Sequence, residues 1–288
     1  MIRKAVIPAA GLGTRLLFAT KEQPKEMLPV FARCDHDELR LKPLLQVIFE
    51  QLYDAGFREF CFVVGRGKRV VEDFFTPDEA FVKYLNTNKR AELAREFGQF
   101  YAKIKSSVVT FMNQPDPTGF GSAIYIVRSF TGDEPFLIHA GDDLVVSKGS
   151  DHLTRLVNVF MKYDADVAFY VEKVSDPRKY GVMIGKQIEP RIYKVERVLE
   201  KPLVPPSSLA IIAIYVATPA IFQAIKETKP DKNNEIQLTY AIMNLIRQKR
   251  RVYALEVNQD EKRIDVGTAE SYWKALGISY DLAHQSVN

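Results

Sequence analysis

Cysteine, histidine and tryptophan are scarce: the 288-residue chain has two, four and one of them. Cys34 lies in a polar stretch and Cys61 inside the apolar run Phe60 to Val64, which is too little for a disulfide framework. Cys61 reads as a small buried hydrophobe and Cys34 as an incidental thiol, neither with a redox or metal role. His36, His139, His152 and His284 show no ligand spacing, so no zinc site is legible and no histidine is assigned to catalysis. Charge of one sign is also lacking, since 40 Lys+Arg against 36 Asp+Glu leaves +4. That excess is too small to draw in nucleic acid or a membrane surface. Any bound anion must meet locally placed cations, and the expected partner is a small molecule. At the N-terminus, Arg3 and Lys4 precede an apolar stretch ended by Pro8 and glycines, too brief for a signal segment or a bilayer span. A cytoplasmic protein is expected.

Core material is plentiful: 47% hydrophobic and 11% aromatic residues exclude disorder and collagen. At about 150 residues per domain, the length allows one or two domains. β-Branched and aromatic runs at Ala5 to Ile7, Phe60 to Val64, Val108 to Met112, Phe136 to His139 and Val167 to Val174 read as strands. Between the first two, Leu45, Ile48, Phe49 and Leu52 line one helical face of Pro43 to Tyr53 before Gly56 stops it. Asp151 to Tyr163 repeats the design, with Leu153, Leu156, Val157 and Phe160 on one side and Ser150 or Asp151 available as a cap. This alternation predicts an α/β fold: a mainly parallel, Rossmann-like sheet with helices on both faces and ligands at the carboxyl ends of its strands.

Beyond about residue 175 the chain turns strand-rich, at Tyr180 to Ile184, Arg191 to Leu199 and Leu209 to Ala217. A helix from about Glu235 to Arg247, a strand Arg251 to Val257, a loop Arg263 to Gly267 and a final amphipathic helix from Ala269 follow. The pattern predicts a smaller α+β portion closing over the sheet. Pro77 to Lys105 reads as a helical insertion, and the polar insert Ala32 to Lys42 as a solvent-exposed loop.

The strongest local signal is Ala9-Ala10-Gly11-Leu12-Gly13-Thr14-Arg15, directly after the first strand and followed by Lys21 and Pro24-Lys25-Glu26-Met27-Leu28-Pro29. Glycines admit backbone N–H groups close to phosphoryl oxygens, Arg adds a rigid fork and Lys a compact charge, so the loop suits a phosphate. Leu16 stands where a dinucleotide-binding loop has Gly or Ala, and no Gly-Lys-Ser/Thr follows, so neither of those patterns fits. Asp142 falls at the carboxyl end of the strand Phe136 to His139, and Asp265 lies in the late loop. Two such carboxylates can share a hard cation. Asp143 reads as a turn former.

These motifs, in one order with Gln114, Gly119-Phe120-Gly121-Ser122-Ala123, Gly141-Asp142-Asp143, Tyr180-Gly181-Val182, Glu200-Lys201-Pro202, Glu235-Ile236-Gln237-Leu238-Thr239 and Asp265-Val266-Gly267, span nearly the whole chain. Together they resemble the sugar-nucleotide pyrophosphorylases, most closely the bacterial and archaeal UTP–glucose-1-phosphate uridylyltransferases. The resemblance implies one nucleotidyltransferase domain over 1–288. Within it, about 1–175 would bind nucleotide, about 176–268 sugar and metal, and about 269–288 would form a C-terminal helix. It also implies a Mg²⁺ cofactor, UTP and glucose 1-phosphate as substrates, and a homodimer or homotetramer.

By the same resemblance, Arg15 would hold the β- and γ-phosphates, Lys25 the α-phosphate and Lys201 the sugar phosphate. Ala10, Gly11, Gly13 and Gly119 would approach the nucleotide through backbone, and Gln114 would select the base. Gly181 and Glu200 would meet sugar hydroxyls, and Asp142 and Asp265 would hold the metal. Taken singly, each lysine reads as a surface residue and each aspartate as a turn or cap residue; the matched order singles them out. Two other readings stay open. One is a thymidylyltransferase, a class that shares the first loop and the Glu-Lys-Pro element, or an enzyme of relaxed sugar choice, since Ser207-Ser208 and Tyr240 depart from the usual pattern. The other is a catalytically silent module that binds nucleotide sugar.

Overall fold

Buried apolar runs set the frame of the computed structural model, which describes residues 2–34, 38–147 and 150–285; His36 lies outside them. β1 (Lys4–Ala9) is buried at every position, as a strand covered on both faces must be. After α1 (Leu17–Thr20) come β2 (Pro29–Arg33) and β3 (Leu39–Pro43), then α2 (Leu44–Asp54) and β4 (Glu59–Gly65). α2 buries the face that its periodicity marks, and the chain turns at Gly56, whose φ of 101° is open to glycine. α3 (Arg69–Phe74), α4 (Glu79–Thr87) and α5 (Ala91–Lys105) precede β5 (Val108–Gln114), so the helical insertion is two helices.

α6 (Phe120–Ile126), α7 (Arg128–Thr131), β6 (Phe136–His139), β7 (Asp143–Val146), α8 (Asp151–Lys162) and β8 (Val167–Lys173) complete the first part. Ser150 makes no side-chain cap on α8; instead the His152 N–H donates to Ser147 Oγ at 3.3 Å. The remainder comprises β9 (Gly181–Glu189), β10 (Ile192–Glu200), β11 (Leu209–Ala217), α9 (Ala220–Lys226), α10 (Leu238–Arg247), β12 (Val252–Glu256), β13 (Lys262–Asp265) and α11 (Ala269–Gln285). α10 starts at Leu238, leaving Glu235 to Gln237 as a loop rather than the expected first helical turn.

Among the described residues, nine strands share one sheet in the order β5-β4-β1-β6-β11-β8-β12-β10-β9. Pairing is parallel across β5, β4, β1 and β6, as the alternation predicts. Beyond β6, only β8 and β12 run parallel; β11 pairs antiparallel with β6 and β8, and β10 with β12 and β9. The strand-rich second part thus extends the same sheet. Two cores cover its faces: Ile7 points to one with Leu45, Phe100 and Leu156, and Val6 to the other with Ile124, Ile221 and Ile242. Among the described residues, no helix is long and apolar enough to cross a membrane.

Two ribbons flank the sheet. β2 and β3 form an antiparallel hairpin, correcting the expected loop at 32–42. β2 packs on α11, where Phe31 meets Tyr280 edge to face and Pro29 O accepts from the Tyr272 hydroxyl. β7 pairs antiparallel with β13, setting Asp265 opposite Asp143. Asp265 therefore ends a strand, and the late segment is carried to the carboxyl end of β6.

Candidate active site

A cavity of about 750 Å³ opens over these carboxyl ends, and Arg15, Asp142, Gly181, Glu200, Lys201 and Asp265 are in its wall. The fold gathers them from the glycine loop, the β6–β7 turn, the first residue of β9, the end of β10 and the end of β13. Val266 N–H donates to Asp142 O at 3.0 Å, tying the two aspartate segments together. A Cβ at Gly267 would lie 3.2 Å from Asp265 Oδ1 and 3.5 Å from Arg15 Nη2, so the glycine leaves that corner to the guanidinium and the carboxylate.

Lys25 donates to Asp142 in a part-buried ion pair. Burial alone would raise Asp142, but the Lys25 ammonium outweighs it and holds the carboxyl below its usual range. Burial, then the Asp143 and Asp142 carboxylates, push Asp265 up to about 6 against the pull of Arg263. Asp142 and Asp265 offer hard oxygen donors that fit Mg²⁺, which takes one or two carboxylates and completes its shell with water and phosphate oxygens. Among the described residues, no group of three or more His, Cys, Asp or Glu could by itself hold a metal ion.

At the β9–β10 side of the cavity, Glu200 Oε2 accepts from the Thr239 hydroxyl at 2.7 Å. A Cβ at Gly181 would stand 3.2 Å from Thr239 Oγ1 and 3.4 Å from Glu200 Oε2, so the bare glycine opens access to both. Lys201 Nζ lies 3.3 Å from Glu200 Oε1 and its side chain is 59% exposed. Its φ of 40° is a conformation that costs a non-glycine residue energy and recurs at functional sites.

Ala10, Gly11, Gly13, Lys25, Gln114 and Gly119 are not in the wall of the large cavity. Gly13 adopts a φ of 62°, and its carbonyl accepts from the Thr20 hydroxyl at 3.0 Å. The Gly11 backbone faces Lys25, with a Cβ there falling 3.8 Å from Lys25 Cε. Gln114 borders a second, more apolar cavity of about 370 Å³, and its Nε2 donates to Gly119 O at 3.3 Å. Ile236 joins the two regions: its N–H donates to Thr118 O and its carbonyl accepts from Gly121 N–H, both at 2.8 Å. Gln237, Leu238 and Thr239, next in the chain, line the large cavity.

The sequence reading missed Arg263 and misjudged Asp143. Arg263 Nε and Nη2 donate to Asp143 Oδ1 and Oδ2, each at 2.7 Å, and the guanidinium covers the Tyr180 ring at 4.9 Å. Asp143 is 4% exposed and is a buried anchor, not a turn former. One signal was available: Arg263 and Asp265 are two apart, which in a strand puts them on one face. Thr239 lies in the Glu235-to-Thr239 motif at the start of α10, but its partner Glu200 comes from the end of β10.

A family model described as nucleotidyl transferase matches residues 4–279. A UTP–glucose-1-phosphate uridylyltransferase of Pseudomonas aeruginosa is 36% identical over 285 residues, 98% of this chain and 97% of its own. A solved UDP-glucose pyrophosphorylase complexed with UDP-glucose superposes with a TM-score of 0.82 at 34% identity, covering 98% of this chain and all of that one. UTP-bound UGPase from Acinetobacter baumannii gives 0.83 at 28% identity over the full length of both. With the fold, the motif order and these likenesses in agreement, the chain belongs to the nucleotidyl transferase family.

Proposed function

We propose that this chain transfers a uridylyl group from UTP to glucose 1-phosphate, giving UDP-glucose and pyrophosphate. The observation that carries the reading is the convergence of Arg15, Asp142, Gly181, Glu200, Lys201 and Asp265 on one cavity. In the reaction, a sugar-phosphate oxygen forms a bond to the α-phosphorus in line, and the bond to the departing pyrophosphate breaks. With a second pKa of about 6, the sugar phosphate is already largely a dianion near neutral pH, so no base has to remove a proton. Charge is the obstacle: about −4 on the triphosphate and −2 on the sugar phosphate leave roughly −4 after one Mg²⁺.

The chain's own cations offset the remainder. Arg15, at the corner by Asp265, holds the β- and γ-phosphates. Lys25, kept charged by Asp142, serves the α-phosphate. Lys201 takes the sugar phosphate, while Glu200, oriented by Thr239, and the bare Gly181 backbone take sugar hydroxyls. Gln114, with a donor and an acceptor on one amide, reads the base beside Gly119. Ala10, Gly11 and Gly13 bring backbone close to the nucleotide. Asp142 and Asp265 would hold Mg²⁺, which when bound neutralises phosphate charge and orients the triphosphate. Two free thiols accord with a cytoplasmic enzyme. The C-terminal helix, with Trp273 75% exposed, is the proposed contact between copies in a homodimer or homotetramer.

The test is pyrophosphate release from purified protein with Mg²⁺, each nucleoside triphosphate and several sugar 1-phosphates. Turnover with UTP and glucose 1-phosphate that stops on chelation is expected. Turnover with dTTP alone would move the assignment to a thymidylyltransferase, and a blank with every pair would leave a binding module.

A further inference from the structure

Lys68 ends the turn that follows β4, and its ammonium bonds entirely to the protein. Nζ donates to Ala9 O, to Gly11 O at 2.7 Å, and to Glu26 Oε2 at 3.2 Å. The Lys68 side chain is 11% exposed and that of Glu26 only 2%. Burial pulls Lys68 down and pushes Glu26 up from their ordinary values, each opposed by the charge of the other. The packing around the pair is close. A Cβ at Gly65 would meet Ala10 O at 2.9 Å, and one at Gly141 would meet Glu26 Cγ at 3.0 Å. The turn after β4, the glycine loop and the Lys25-Glu26 segment are thus fitted around one cation.

That cation constrains what the loop presents. A trans peptide sets the carbonyl of one residue opposite the N–H of the next. With the Ala9 and Gly11 carbonyls drawn to Lys68, the Ala10 and Leu12 N–H groups point away from it, and Leu12 itself is 62% exposed. Glu26, held by Lys68, is next in the chain to Lys25, whose ammonium meets Asp142.

We infer that Lys68, acting with Glu26, is a positioning residue for the nucleotide: it aims the glycine-loop N–H groups and Lys25 at the triphosphate without touching it. The inference rests on the nucleotidyl-transfer reading above. Lys68→Met keeps the aliphatic stem and removes the ammonium. Its UTP affinity by calorimetry with Mg²⁺ should weaken about 10- to 100-fold, the scale of lost charged hydrogen bonds, with KM for glucose 1-phosphate within about 2-fold of the parent. Amide exchange at residues 10–13 should speed up, and Lys68→Arg should recover most of the affinity. If Lys68→Met does not fold, Glu26→Gln carries the same comparison, with UTP affinity weaker by about 3- to 10-fold. Parent protein that neither binds nor turns over UTP would defeat the transferase reading itself. Parent-like UTP affinity in the folded variant, or equal losses for both substrates, would overturn the positioning role alone.

Discussion

Replacing Arg263 by methionine probes the anchor behind the two candidate metal aspartates. The guanidinium makes two 2.7 Å bonds to Asp143, with the side chains 9% and 6% exposed. Methionine restores much of the apolar stem but leaves a buried carboxylate whose remaining donor among the described residues is the Ala213 N–H, at 3.5 Å. Removing one partner of a buried ion pair costs about 3–5 kcal/mol, a large part of a typical ~5–15 kcal/mol total. Asp143 lies beside Asp142 in sequence and opposite Asp265 in the β7–β13 register, so the same change should disturb both. Urea unfolding at pH 7 measures the first effect and pyrophosphate release the second, where a loss of about 10²-fold is expected. Arg263→Met combined with Asp143→Asn should regain at least about 2 kcal/mol relative to the sum of the single changes. A single variant within about 1 kcal/mol of the parent, or strict additivity in the cycle, would refute the reasoning.

Lys25→Met should lower kcat about 10²-fold or more with unchanged far-UV circular dichroism, the scale of a lost preorganised donor; a loss under 5-fold would remove Lys25 from the chemistry. Thr239→Val deprives Glu200 of its 2.7 Å partner and should raise KM for glucose 1-phosphate about 3- to 10-fold, leaving KM for UTP unchanged. Equal shifts in both constants would place Thr239 elsewhere. His152 is buried, accepts or donates at Ser147 Oγ over 2.6 Å, and is pulled down to about 3 by burial and by the neighbouring His139 and Arg155. Because its folded value lies below the unfolded ~6.5, its stabilising contribution is complete above pH 6.5 and is lost as pH falls toward 3, about 2 kcal/mol by pH 5. His152→Phe should flatten the unfolding free energy between pH 7 and 5 by that amount, and an unchanged slope would sink the assignment.

Period and punctuation along the chain were enough for the elements that bury one face. α2 was legible from Leu45, Ile48, Phe49 and Leu52 with Gly56 after them, because helix spacing and a glycine stop are local properties. The hairpin at β2 and β3 was not: charged residues interrupt its apolar positions, and its half-burial depends on distant segments, with β2 against α11 from the far end of the chain and β3 tied by Lys42 to Glu50 of α2 and by Arg40 to Glu96 of α5. The sheet's change from parallel to mixed pairing after β6 was equally hidden, since a strand's partner depends on which neighbour the crossovers deliver.

At the site, the residue types were readable and their company was not. Glycines, Arg15, Lys25 and the aspartates were legible as candidates for phosphate handling because their motifs follow one another in a matched order. That Lys25 pairs with Asp142, that Arg263 neutralises Asp143, and that Thr239 orients Glu200 follow from strand register and from which side chains share a buried space. Sequence by itself determined the alternating scaffold and the inventory of charged and glycine residues, because propensity and periodicity act over a few neighbours. Only the tertiary structure decided which of those charges meet, because Coulomb energies and desolvation depend on distances of a few ångströms between segments far apart in the chain.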